Sequence, residues 1–119
     1  MSPGTEHLLR IGDGRIVVPH ATYQCFMPAA SAAALLWRNG MACLVPLSGP
    51  VAGGMLLKQR NALGDRVMFA DDFLAPCGLG RFSPEREFVV RWSDDVGALY
   101  IEGLEAVTDG RTDVRTDMR

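Results

Sequence analysis

Apolar and polar residues alternate with a period of two along much of this chain. In residues 87–92, Phe88, Val90 and Trp92 fall on one face and Val89 and Arg91 on the other. Successive side chains of a strand point to opposite faces, so this spacing predicts a half-buried strand. Residues 7–11 and 15–18 flank Gly12-Asp13-Gly14. Glycine and aspartate tolerate positive φ, so this stretch predicts a hairpin turn, and Pro19 ends the second arm. Residues 55–60 and 66–70 predict another hairpin, joined through Asn61-Ala62-Leu63-Gly64-Asp65. The unbroken apolar run 41–47 suits a strand covered on both faces. In residues 21–27, Tyr23 and Cys25 alternate with Gln24 and Phe26, which predicts a strand there too.

One segment reads as a helix, residues 28–39. Pro28 suits the first helical position, where its missing N–H would be unpaired in any case. The alanine-rich run 29–34 costs little side-chain entropy. Leu35, Leu36 and Trp37 supply apolar surface, and Asn39-Gly40 reads as the stop. Residues 71–83 hold Pro76, Gly78 and Gly80 and predict irregular chain with a turn of helix at 72–74. Residues 94–107 fit two patterns. Val96, Leu99, Tyr100, Gly103, Leu104 and Val107 lie on one helical face. Gly97 and Gly103 would each cost such a helix about 1 kcal/mol, so a hairpin turning at 93–97 into a strand from Ala98 is preferred. The pattern predicts an α+β domain, mostly antiparallel β. It would be a curved sheet or barrel-like roll of about six to eight strands, packed on one short helix near residues 28–39.

Length and composition place this pattern in a single globular domain, residues 1–107, with a polar tail, residues 108–119, built on a Thr-Asp-x-Arg repeat. Chains of this size bury roughly two-thirds of their unfolded surface. Apolar residues other than glycine make up 48% of the chain, and 13 glycines come on top. About 45–50% with glycine included is usual. The excess predicts apolar surface covered by a second copy, most simply in a two-fold homodimer. A net charge of −2 disfavours general binding to nucleic acid or to an anionic membrane. No apolar run approaches the roughly 18 residues of a membrane span, and residues 1–7 are too polar for a leader. Cys25, Cys43 and Cys77 form no Cys-x-x-Cys pair. Cys25 and Cys43 sit in apolar runs and predict buried free thiols in a reducing, cytoplasmic setting.

Candidate chemistry is sparse. His20 and Cys25 come nearest to a base and a nucleophile, but five positions apart on a strand they would face opposite ways. Asp71-Asp72 and Asp94-Asp95 suit turns and capping, or an oxygen-rich cation site. The glycine-rich segments 48–54 and 77–80 match neither a P-loop nor a dinucleotide fingerprint. No cofactor motif and no coherent catalytic set is read. Three function classes remain. The preferred one is a non-catalytic binding or interaction protein acting as a homo-oligomer. The second is a small enzyme or a carrier of a small apolar ligand, with a pocket between sheet and helix lined by Tyr23, Cys25, Trp37, Phe69 and Trp92. The third and weakest is a nucleic-acid accessory protein using the basic hairpin of Lys58, Arg60 and Arg66, which Asp65 partly neutralises.

Overall fold

In a computed structural model, which describes residues 7–48 and 54–104, the chain begins with the expected hairpin. Strands β1 (His7–Gly12) and β2 (Arg15–Val18) turn at Asp13-Gly14, both at positive φ. The next segment departs from expectation. Residues 21–27 do not form a strand; helix α1 spans His20–Phe26. Tyr23 and Met27, four apart, are both buried, as one helical face requires. The Tyr23 hydroxyl donates to the Ala30 carbonyl at 2.7 Å, and the Thr22 hydroxyl donates to the Leu8 carbonyl at 2.9 Å. Short stretches of alternating and helical spacing coincide over a few positions, and here the longer repeat decides.

The helix expected near residues 28–39 is replaced by strand. Strand β3 (Ala32–Arg38) pairs along its whole length with β4 (Met41–Leu47), from Ala32↔Leu47 to Arg38↔Met41. Asn39 and Gly40 lie at φ 54° and 77°. Two successive positive φ angles make a tight hairpin turn, so the pair read as a helix stop is a strand reversal. The apolar run 41–47 explains the outcome. A buried strand needs ladder partners on both edges, and β3 supplies one of them.

The second half continues with β5 (Met55–Leu56), β6 (Lys58–Gln59), β7 (Arg66–Phe69), α2 (Asp71–Leu74), a 3-10 turn (Ala75–Cys77), β8 (Arg86–Ser93) and β9 (Ala98–Ile101). The hairpin reading of residues 93–101 stands. The tail repeat, residues 108–119, lies outside the described residues, as does most of the glycine-rich segment 48–54. The nine described strands form one antiparallel sheet in the order β5-β3-β4-β9-β8-β1-β2-β7-β6. Its two ends, β5 and β6, are consecutive in the chain and separated only by Leu57. One interrupted strand therefore pairs with β3 through its first part and with β7 through its second. The sheet curls into a nearly closed barrel, which protects strand edges that would otherwise be open.

The barrel carries an internal two-fold relationship. Taking β1 to β5–β6, β2 to β7, β3 to β8 and β4 to β9 maps every strand neighbour onto another neighbour. Individual pairs obey the same rule. Leu9↔Phe88 corresponds to Met55↔Ala33, and Trp37↔Ala42 corresponds to Trp92↔Leu99. Ile16↔Met68 maps onto itself. Each half's helix stacks on the other half's tryptophan. Phe26 of α1 lies 5.8 Å from Trp92, and Phe73 of α2 lies 5.0 Å from Trp37, both pairs nearly parallel. The inward faces of both halves share one core, with Leu9, Ile11, Ile16, Leu44, Met68, Leu99 and Ile101 fully buried.

Candidate functional site

The two halves differ at their helices. Helix α1 runs for seven residues and α2 for four. At the α1 end, Phe26 is held between Trp92 and His7, whose ring meets it edge-on at 4.9 Å. The Trp92 indole N–H donates to Asp94 Oδ1 at 2.7 Å. At the α2 end, Trp37 stacks on Phe73 but stays 41% exposed. Beside Phe73 lies an open groove of about 630 Å³, lined by Met55, Phe69, Ala70, Asp71, Asp72 and Phe73.

Phe69 is the most telling member. It sits on β7 opposite Arg15, and the internal two-fold pairs it with Val17, which sits opposite Val67. Val17 is fully buried, whereas Phe69 is 59% exposed. Asp71 and Asp72, in the first turn of α2, give the groove an acidic rim. The arrangement offers an aromatic floor and wall with carboxylates at one edge. That suits apolar contact with a cationic group alongside.

The residues singled out from the sequence are spread over several places. Trp37 and Phe69 come together around Phe73. Trp92 stands at the other end, stacked on Phe26. Tyr23 is buried, with its hydroxyl committed to Ala30 and the Arg66 guanidinium 4.3 Å from its ring centre. Cys25, expected to be buried, is exposed on the outside of α1. The helix turns it away from the core that a strand would have shown it. Cys43 and Cys77 are buried free thiols, and burial pushes both upward from the ordinary thiol range. His20 and Cys25 are both exposed on α1 and do not form a base–nucleophile pair among the described contacts. Among the described residues, no group of three or more His, Cys, Asp or Glu could hold a metal ion.

The basic hairpin is largely engaged. Arg60 lies 3.6 Å from Glu85, and Arg66 donates to the Gly64 carbonyl at 3.0 Å besides covering Tyr23. Lys58 is exposed. Asp65 is 8% exposed and gathers several donors. Its carboxyl is held below the usual carboxylate range by the Asn61 side-chain amide, then by the His20 backbone N–H, with Arg10 and Arg60 adding attraction.

Sequence reasoning missed Phe73 and Met55. The signal was the matched placement of the two tryptophans. Trp37 and Trp92 each come shortly before a hairpin turn, and each needed an aromatic partner from a distant segment. No family model matches this chain, and no curated protein or solved structure matches it.

Proposed function

We propose that the protein is a non-catalytic interaction module that binds through the groove beside Trp37, Phe73 and Phe69 and works as a homo-oligomer. The exposure of Phe69 carries this reading: the ring is 59% exposed where its counterpart Val17 has none. A rimmed apolar patch on an otherwise well-packed barrel is the usual mark of a contact surface. Leu56, next to the groove residue Met55, adds a further 66% exposed apolar side chain. The test is mass in solution. Light scattering at micromolar concentration is expected to give twice the chain mass of 12.9 kDa. Phe69→Asp is expected to remove the association while leaving the circular dichroism unchanged. A wild-type chain that stays monomeric overturns the reading.

A second reading takes the same groove as a seat for a small apolar ligand. Its volume of about 630 Å³ supports this, because small-molecule sites commonly span about 300–1,000 Å³. Native mass spectrometry of the purified protein tests it. A bound mass lost in Phe69→Asp is the expected result, and a bare chain mass removes the reading.

A further inference from the structure

We infer that the groove is filled by Arg81 and Phe82 of a second copy, in a two-fold dimer where each chain gives one projection and one hole. This rests on the reading of the groove as a self-association surface and names what occupies it.

Phe82 is the most exposed large apolar residue among those described, at 89%. Its backbone lies at φ 72°, a left-handed conformation that strains a non-glycine residue. The conformation is built, since three hydrogen bonds hold it. The Phe82 N–H donates to Asp13 Oδ1 at 2.9 Å, the Asp13 N–H donates to Ser83 Oγ at 3.0 Å, and the Ser83 hydroxyl donates to the Gly80 carbonyl at 2.7 Å. The β1–β2 turn thus clamps the loop in a shape that sends an aromatic ring into solvent. Such an arrangement loses twice, through strain and through exposure, unless the ring is covered elsewhere.

The projection and the groove are neighbours. The Arg81 guanidinium reaches to 3.7 Å from the carboxylate of Asp71, which lines the groove. A projection beside a matching hole is what a two-fold dimer needs. One rotation about an axis between them places each projection in the other chain's hole and closes the assembly. The charges agree with that docking. Arg81 is 72% exposed and only loosely held to Asp71, and the exposed carboxylate of Asp72 stands on the same rim. In the dimer, Arg81 of one copy meets Asp72 of the other while Phe82 packs on Phe69 and Phe73. Aromatic residues and arginine are the side chains enriched in protein interfaces.

The test uses the full chain and light scattering across a dilution series. Wild type is expected to be a dimer at micromolar concentration, and Phe82→Asp and Phe69→Asp each a monomer with unchanged circular dichroism. Aspartate accepts positive φ more readily than phenylalanine, so Phe82→Asp spares the fold. The deciding arm mixes the two variants. Phe69→Asp still offers a projection and Phe82→Asp still offers a hole, so the mixture regains one of the two contacts. It is expected to dimerise at a concentration at least about tenfold lower than either variant alone. If Phe69→Asp is monomeric while Phe82→Asp stays dimeric, the groove reading stands and this inference falls. No recovery on mixing also overturns it. A monomeric wild type overturns both.

Discussion

Asp65 caps helix α1 from 45 positions further along the chain: its Oδ1 accepts the His20 backbone N–H at 2.7 Å. Pro19 stands at the N-cap and has no side-chain oxygen to do this. Asp65 in turn accepts from the Asn61 amide at 3.1 Å and lies 3.6 Å from Arg10. Asp65→Ala removes the cap and is expected to cost about 1–2 kcal/mol in urea unfolding. Asp65→Asn keeps an acceptor and loses the charge, so it separates the two effects. The folded-state pKa of Asp65 is depressed. Its contribution is therefore present above the unfolded value of about 3.9 and is lost as pH falls through the lower folded value. Unfolding measured from pH 7 down to pH 2 should show this acid slope in wild type and a weaker one in Asp65→Asn.

The two tryptophans should report differently. Trp92 is half-buried, stacked on Phe26 and bonded to Asp94, whereas Trp37 covers Phe73 from the solvent side. Trp92→Ala is expected to cost about 3 kcal/mol, in the range for a packed aromatic. Trp37→Ala is expected to cost about 1 kcal/mol, the scale of an exposed stacking pair. Iodide quenching checks the same contrast. Fluorescence of Trp92→Phe, which reports Trp37, should be quenched more steeply than that of Trp37→Phe in a sample diluted to monomer.

Thiol chemistry distinguishes the three cysteines. Cys25 is exposed, and Cys43 and Cys77 are buried with their thiols pushed upward by desolvation. Since the thiolate is the reactive form, Cys25 alone should react promptly with a disulfide reagent in native buffer. The other two should follow only in denaturant. Cys25→Ser should abolish the prompt phase, and a second prompt thiol would contradict the burial seen here.

Gly12 is set by a close approach. A Cβ there would lie 2.4 Å from the Pro84 carbonyl oxygen and 2.6 Å from the Glu85 Cα. Both are backbone atoms, so neither can swing away. Gly12→Ala is expected to cost about 2–3 kcal/mol as overpacking and to loosen the seat of the Phe82 loop. Gly97→Ala meets open space and strains only its positive φ, for about 1 kcal/mol. Thermal unfolding of the two variants should rank them in that order.

Local pattern determined some of the strands and turns of this protein. Period-two spacing around Phe88, Val90 and Trp92 and the turn at Asp13-Gly14 left one plausible local geometry each, because side-chain alternation and positive φ are properties of adjacent residues. The apolar excess likewise pointed to exposed hydrophobic surface from composition alone. Tertiary structure decided the remainder. The segment 32–38 is alanine- and leucine-rich and suits a helix by itself. It became a strand because the run 41–47 offered a full ladder of backbone partners. Residues 20–26 became the helix because Asp65 and the barrel wall, far off in sequence, complete its end and bury Tyr23 and Met27. The groove belongs to the same category. Met55, Phe69, Phe73 and Trp37 meet only once the sheet has closed through Leu57. No local rule encodes a site whose walls come from a strand at the point of ring closure, from β7 and from α2.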